Sequence, residues 1–497
     1  VNLASFLSSQ SFRGLSKEQV NNLKEVVRTS AELHRIAGVK EKRVSRLDQD
    51  TIVIESGHQP NFLPYSGVLK KAFLAEWIER TLSESGLNTV SIFGIADYNL
   101  CTSKYLFQNR LPAVNKNGFV GFGLKKPRSR EMWKRFNSLP KPEEEEWESL
   151  TQKLRSHYQN SGKEFAEMLI EEMWTSYHRG ESLAEVNTIL FIRLCRMLGI
   201  DVLFFRYSDL QERGVLRDSW EKVLEDFRQI NAEYNKTVSQ NPELGLKIID
   251  ERTAPFWYHC PCGGKVQTFH NGEVYAGECP VCGESYEIED PLSEFQNLSP
   301  RAVPRNIIFS DGFGTSVFIS GAGGGVRYGA VANAVSRALG FEAPRTIVWR
   351  SRDYYLGAAH RKVLREITRL LKVGESLNKE NAISALKRLR SELALTGGEP
   401  KSLGSYRYSG TLLKIAANVF STTPSIIDIL SEYGPEHVRR AWGLALKDSE
   451  VRKTNTFPVE VERDVEYEEG ARERYEVVKV LEKENLRADP LGILGGV

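Results

Sequence analysis

The sequence predicts an α/β protein with a parallel sheet, and three observations carry that expectation. Short β-branched runs alternate with helical patterns, as in TIVIES, VLKKAFLAEWIERTLSES and NTVSIFGIAD. A strand, a helix and a strand in so short a stretch form a βαβ unit, whose crossover makes the strands parallel. The same alternation resumes at DVLFFRYSDL and again in IIFSDG, SVFISG and TIVWRS.

Taken in order, residues 16–37 place Val20, Leu23, Val26, Val27, Leu33 and Ile36 at helical spacing behind Ser16, a good N-cap. TIVIES reads as a buried strand ending at Gly57, and the turn GHQPNFLPYSG leads into the next helix. NTVSIFGIAD is the second strand, closed by Asp97, Tyr98 and Asn99. Residues 127–180 read as a helical insertion, in which the Glu run after SLPKP forms a solvated first turn that suits the helix dipole. DVLFFRYSDL returns the chain to the sheet. The cysteine segment is a further insertion, after which IIFSDG, SVFISG and TIVWRS are core strands. Two charged amphipathic helices, AAHRKVLREITRLLKV and KENAISALKRLRSELAL, flank GESLN, and FPVEVERDVEY alternates like an exposed strand.

The expected organisation is therefore N-terminal helices (1–49), core (50–126), helical insertion (127–180), core (181–250), cysteine module (251–292), core (293–357) and a mainly helical C-terminal region (358–497). A chain of 497 residues suits a core with insertions better than one simple domain. Its 41% hydrophobic and 27% charged residues exclude wholesale disorder. Lys+Arg 67 against Asp+Glu 65 gives no global field for nucleic acid or acidic substrates, and leaves local patches. No apolar run reaches the ~20 residues of a membrane span, and VNLASFLSSQ lacks signal-peptide character, so a cytoplasmic protein with no membrane partner is expected.

Four of the six cysteines, Cys260, Cys262, Cys279 and Cys282, fall within 23 residues. Two glycine-containing knuckles joined by a hairpin through FHNGEVY make a zinc ribbon, the alternative being free or disulfide-bonded thiols. The first knuckle is one residue shorter than the usual spacing, and His259 is an adjacent substitute ligand. Four thiolates leave no open coordination position, which predicts a structural Zn²⁺ and a ribbon separable from ligand binding. Cys101 and Cys195 read as isolated packed thiols.

Three turns carry the other candidates. Gly57, His58, Gln59 and Asn61, with Ser66 and Gly67, lie where a strand meets its helix. They read equally as an anion cradle, or as a turn in which Gly57 supplies a special φ and Asn61 or Ser66 caps the helix. Asp97 and Asn99 end the second strand, where a carboxylate accepts from a ribose or binds Mg²⁺, or simply closes an Asx turn. Gly321, Gly323, Gly324 and Gly325, followed by Arg327, form a strand-to-helix loop that admits an anion close to its amides, or that permits close helix packing. Asp311 lies just upstream and is expected to face the same cleft.

Together these segments resemble the bacillithiol-biosynthesis cysteine-adding enzymes, a family of cysteine ligases. TIVIESGHQPNFLPYSGVLKKAFLAEWI is similar to that family's strand, Gly-(His/Gln)-Gln turn and helix, and VSIFGIADYN to its strand ending in an acidic motif. VPRNIIFSDGFGTSVFISGAGGGVRYGAV is similar to its Arg-Pro, Gln-Asp and Gly-Gly-Pro-Gly-Glu region, and APRTIVWRSR to its Pro-Arg strand. About half of the chain is covered. The resemblance implies a Rossmann-like core of the nucleotidyltransferase and class I aminoacyl-tRNA synthetase kind, followed by a helical coiled-coil region. It also implies site roles for Gly57, His58, Gln59, Asp97, Asp311, Gly321, Gly323 and Gly324. The chain departs from the family at Ala96-Asp97-Tyr98-Asn99, at Gly325 in place of a Glu, and in carrying the zinc ribbon. A shorter resemblance, to the WbqC-like proteins, rests on Gln59-Pro60-Asn61-Phe62-Leu63-Pro64.

The expected function is a nucleotide-dependent ligase or transferase that joins an amino acid or other carboxylate to a small acceptor, using ATP or another nucleotide with Mg²⁺. His58 and the glycine loop would hold phosphates, Asp97 or Asp311 the Mg²⁺ or acceptor, and Arg327 a carboxylate or phosphate. The rival is an RNA- or tRNA-interacting zinc-ribbon protein whose basic residues at 361, 362, 365, 369, 372, 387, 388 and 390 track phosphates.

Overall fold

Alternating burial builds the centre of the molecule. Along β1 (Ile52–His58), Ile52 and Ile54 enter one hydrophobic cluster and Val53 the other, so both faces of the strand are covered. That is the pattern of a parallel sheet with helices on both sides. The computed structural model describes residues 2–44, 46–159, 163–373, 377–395, 400–453 and 458–487.

From β1 the chain passes through the helix Ser66–Glu84 to β2 (Thr89–Ile95), which pairs parallel to β1. A hairpin, β3 (Gln108–Pro112) and β4 (Phe119–Gly123), follows. Helices Glu144–His157, Lys163–Arg179 and Leu183–Met197 then lead to β5 (Leu203–Arg206), beside β2. Glu144, Glu145 and Glu146 occupy a first helical turn as their charge suggested. Short helices carry the chain into the antiparallel strands β6 (Thr253–His259), β7 (Lys265–His270), β8 (Tyr275–Glu278), β9 (Ser285–Ile288) and β10 (Leu298–Pro300), in the order β10-β6-β7-β8-β9. The helix Ala302–Phe313 returns to β11 (Thr315–Ser320), and the helix Gly324–Leu339 leads to β12 (Arg345–Arg350). After β13 (Asp353–Tyr354) and several helices come β14 (Glu450–Lys453), β15 (Val459–Glu462) and β16 (Val465–Glu466).

The central sheet has seven strands in the order β14-β15-β12-β11-β1-β2-β5, parallel throughout except for β14. Chain order climbs outward from β1 through β2 to β5, then jumps to the other side of β1 for β11, β12 and β15. This doubly wound order places a switch point between β1 and β11, where the two connections leave in opposite directions and a crevice opens.

Two expectations fail here. IIFSDG is the second half of the helix Ala302–Phe313, not a strand. Val303, Ile307 and Phe313 fall on a helical stripe, Pro304 is tolerated in a first turn, and Gly314 at φ 63° stops the helix. The adjacent Ile307-Ile308 imitates a β-branched run. The C-terminal alternating segment is not an exposed strand either, because β15 lies within the sheet between β12 and β14 and Val461 is fully buried.

The helices Ala358–Leu371 and Lys379–Leu395 form as their periodicity predicts, and they share a cluster with helices Pro400–Ser421 and Ala471–Arg487. Of the GESLN linker, 374–376 lie outside the described residues, as do 454–457 ahead of β15. No helix among the described residues is long and apolar enough to cross a membrane.

Candidate functional site

The carboxyl ends of β1, β2 and β11 lie on one edge of the sheet because these strands are mutually parallel neighbours. The three turns separated in sequence therefore leave the sheet on the same side. A cleft of about 700 Å³ opens beside them. Its floor is Ser66, Gly67, Lys70 and Lys71 from the helix Ser66–Glu84, with Ile319, Ser320, Gly321 and Ala322 from the end of β11. Trp349 lies on β12, Ser351 and Asp353 follow it, and Arg110 and Phe119 of the hairpin form a wall with Tyr65, Lys104 and Tyr105.

Charge is distributed unevenly around this space. Lys70, Lys71, Lys104, Arg110 and Arg352 line it, and Asp353 is the one carboxylate among its described residues. Asp353 is already committed: its Oδ1 accepts from Lys70 Nζ at 2.7 Å and from the Tyr467 hydroxyl at 2.8 Å, and Ser66 donates to its Oδ2. Lys70 also donates to Ser351 at 2.8 Å. Lys71 donates to the Gly57 carbonyl, and burial, with Arg305 second, pushes its ammonium down to about 7. A cleft so lined is suited to an anion larger than one carboxylate.

On the wall, Lys104 sits 5.2 Å over the Tyr105 ring and Arg110 4.3 Å over the Phe119 ring, while Tyr65 and Tyr105 meet edge to face. Flat faces flanked by cations are what a stacked heteroaromatic ring requires.

The predicted residues divide. Ser66, Gly67 and Gly321 line the cleft. Gly67 has open space where a Cβ would stand. Gly57 contributes its carbonyl to Lys71. Its φ is not left-handed. It is glycine for room, since a Cβ there would lie 2.5 Å from the Tyr207 hydroxyl. His58 is neutral, pushed down to about 3 by burial and next by Lys71, and its Nδ1 donates to the Gln59 carbonyl at 2.8 Å. Gln59 donates to Asn61 Oδ1 and Ser103 Oγ, each at 2.9 Å, so these amides brace their own turn. Neither Asn61 nor Ser66 caps the following helix, whose N-cap, Tyr65, makes no side-chain cap bond.

Asp97 is buried and hydrogen-bonded. Its carboxylate accepts from Ser208 Oγ at 2.5 Å, from Ser208 N–H at 3.2 Å and from Asn137 at 3.3 Å, and burial raises its pKa. The arrangement fastens the ends of β2 and β5 together and closes the turn, and Asp97 is not among the residues that line the cleft. Asn99 Oδ1 accepts from Arg305 at 3.3 Å.

Gly323, Gly324, Gly325 and Arg327 fall outside the lining of the cleft, contrary to expectation. The loop crosses the sheet edge and delivers its helix to the opposite face, where Arg327 stands beside Gly245. Asp311 is at the other end of the sheet altogether. It ends a helix just before β11 begins, accepts from Ser219 at 2.9 Å and pairs with Lys222 at 3.1 Å. A second cavity, of about 560 Å³, opens at that end among Phe12, Arg13 and Arg345.

The lysines were missed, although they leave a signal. In Val68-Leu69-Lys70-Lys71-Ala72-Phe73-Leu74 a lysine pair interrupts an apolar run within two turns of a helix N-terminus, where burial and the dipole both disfavour cations.

The thiolate cluster forms as its spacing predicts. The four Cys ligand atoms all lie within 4.8 Å of one another, with Cys260–Cys282 at 3.5 Å and Cys262–Cys279 at 3.6 Å. Tetrahedral Zn–S bonds of about 2.3 Å demand sulfurs about 3.8 Å apart, so the set fits one Zn²⁺. Gly263 at φ +89° closes the short knuckle, and a Cβ on Gly264 would stand 2.6 Å from Cys279 Sγ. His259 is not a substitute ligand: its Nε2 bonds Ser299 at 2.8 Å and its Nδ1 faces Arg135 at 3.4 Å.

The ribbon is tied to the core, although none of its residues lines the cleft. Buried Lys265 donates to the Tyr98 carbonyl at 3.0 Å, and Arg135 N–H donates to the Gly263 carbonyl at 2.8 Å. The module thus braces the end of β2.

Tyr207 is the keystone between these parts, stacked 4.4 Å from Phe309. A Cβ on Gly94 would stand 2.0 Å from its ring. Gly94→Ala is expected to cost about 1–3 kcal/mol, read as a lower urea midpoint at unchanged slope. An unchanged midpoint would mean that Tyr207 moves freely.

No family model matches the chain, and no curated protein matches it. Similar solved structures include the Thermus thermophilus arginyl-tRNA synthetase, 15% identical, with a TM-score of 0.24 over 94% of this chain and 85% of that one. Another, from Campylobacter jejuni and provisionally assigned as an arginyl-tRNA synthetase, is 11% identical with a TM-score of 0.26 over 95% and 98%. At these TM-scores neither pairing carries an argument. The class defined by fold and site is an α/β protein with a doubly wound, mostly parallel sheet, a cationic cleft at its switch point and a four-cysteine centre.

Proposed function

We propose that the chain is a nucleotide-dependent ligase or transferase that joins an amino acid or other carboxylate to a small acceptor. The observation that carries the reading is the cleft at the switch point, cationic, with aromatic faces on one wall. In open α/β sheets that crevice is where phosphate-bearing ligands sit. Catalysis of carboxylate transfer from a nucleotide consists mostly of positioning and of stabilising developing negative charge, and fixed lysines and arginines do both. The doubly wound strand order supports a Rossmann-like core of the nucleotidyltransferase and class I aminoacyl-tRNA synthetase kind, as the resemblance to the cysteine-adding enzymes implies. That resemblance supplies the reaction class, with the acceptor chemistry left to experiment.

Zn²⁺ on Cys260, Cys262, Cys279 and Cys282 would be structural, since four thiolates close the coordination shell. Reduced thiols of this kind suit a cytoplasmic setting.

RNA binding is the second reading, favoured by the exposed Tyr105 with its cation on the wall of the cleft. The basic helices favour it less: Arg361 is tied to Glu432 and Arg369 to Glu366.

Thermal shifts against ATP, CTP, ADP, amino acids and a short RNA test both. A ligand that binds only native protein at a hundred times its Kd adds about 2.7 kcal/mol of apparent stability. A nucleotide shift that grows when an amino acid is added supports the ligase. A shift with RNA alone, lost as salt rises, supports the second reading and overturns the first.

A further inference from the structure

Lys70 and Lys71 are adjacent in sequence, face the same cleft and are provided for differently. Lys70 has a carboxylate, Asp353, at 2.7 Å. Lys71 has a backbone carbonyl, that of Gly57, and no carboxylate among the described residues pairs with it. It stands at the switch point itself, between the end of β1 and the turn after β11, where a Cβ on Gly321 would be 3.8 Å from its Cδ. A buried ammonium without a counter-ion is costly, and a site that retains one gains most when a dianion arrives.

We propose that Lys71, beside the Ser320–Ala322 turn, is the subsite for the terminal phosphate of the cleft's ligand, and that phosphate binding there draws a proton onto Lys71. This deepens the proposed function and rests on it for the identity of the ligand as a nucleotide, but not for the phosphate itself. The placement follows from polarity along the cleft. Of its aromatic residues, Tyr65, Tyr105 and Phe119 at the hairpin wall are partly exposed and Trp349, Phe420 and Tyr475 are buried, whereas the paired strand ends and Lys71 are at the floor.

The surroundings of Lys71 decide the proton. His58 on β1 is neutral, Glu55 on the same strand is turned to Thr315, and Tyr207 lies behind Gly57. Arg305, from the helix Ala302–Phe313, is the one charged group that acts on Lys71 strongly, and it opposes a second positive charge. Across the floor, Lys70 and Asp353 neutralise each other. With burial and Arg305 holding the free amine down to about 7, a phosphate at contact reverses the balance and favours the ammonium. The sign follows: below pH 7 the proton is already present and Lys71 adds no pH dependence of its own, the ligand's second ionisation setting what remains, while above it each bound phosphate takes up a proton and affinity falls with pH, by up to tenfold per unit.

Calorimetry at pH 8 in two buffers of different ionisation enthalpy, with pyrophosphate and with ATP as separate probes, reads both affinity and proton uptake. The wild-type protein is expected to take up close to one proton with either probe. Lys71→Arg should bind with no uptake and no fall in affinity between pH 7 and 9, and Lys71→Met should lose at least tenfold in affinity. His58→Gln should keep the uptake. Uptake persisting in Lys71→Arg, or ATP bound by Lys71→Met as by wild type, overturns the inference and leaves the ligase reading intact. Lys71-dependent binding of pyrophosphate without any binding of ATP upholds the subsite and overturns the nucleotide. Binding of neither probe overturns both.

Discussion

Cys279→Ser is expected to empty the metal centre and unfold the ribbon ahead of the rest of the molecule. Structural Zn²⁺ contributes apparent binding free energies of about 10–16 kcal/mol to small thiolate modules, and that energy is folding energy. The sulfur cluster has little else beneath it, since Val266 is the one buried aliphatic side chain packed with Cys260 and Cys279. The damage should spread in a defined direction, because Lys265, His259 and Arg135 link the ribbon to Tyr98 and the end of β2. Hydrogen exchange should therefore show residues 253–300 losing protection first and 95–99 next, with β1 and β11 unaffected. Elemental analysis that finds full zinc occupancy in the variant, or none in the wild-type protein, would contradict the account.

The second large effect is expected at Asp353. Its side chain is 8% exposed and that of Lys70 4%, so the pair is dry, and Ser66 and Tyr467 direct hydroxyls at the same carboxylate. Asp353→Ala leaves an uncompensated ammonium, which costs about 3–5 kcal/mol in comparable buried pairs. Replacing Lys70 by Met in the same protein should restore most of that loss, because an apolar pair of similar volume needs no counter-ion. Urea unfolding of the two single variants and the double variant measures the coupling. Additive losses would show that the pair is solvated and does not act as a unit.

How much of this was legible follows from which interactions are local. β1, β2, β5, β11 and β12 were readable because each is a short apolar run, β-branched in all but β5, next to a helix with its own periodicity. The helix Lys17–Ala37 was readable from Ser16, which caps it as expected, and the structure adds a capping box with Gln19. The thiolate knuckles were readable because two spacings and two glycines determine their geometry. Strand order was not, since the position of β11 beside β1 depends on contacts hundreds of residues apart. Asp311 was misplaced for the same reason: read as a strand end it faces the cleft, and as a helix end it faces the opposite edge. The wall of the cleft was invisible because the β3–β4 hairpin has no strong pattern and its Arg110 and Phe119 become neighbours only on pairing. Asp97 shows the converse error. Its residue type at a strand end suggested chemistry, whereas the partners that hold it, Ser208 and Asn137, come from other elements and were not foreseen.

The central claim is that the switch-point cleft is the ligand site, and photoaffinity labelling with an azido-adenine analogue of ATP tests it most directly. Because the ring is assigned to the aromatic wall, the label should fall on peptides containing Tyr65, Tyr105 or Phe119, and excess ATP should protect them. Label confined to the peptides around Phe12 and Arg345, at the opposite edge of the sheet, would contradict the account and transfer the site to the second cavity.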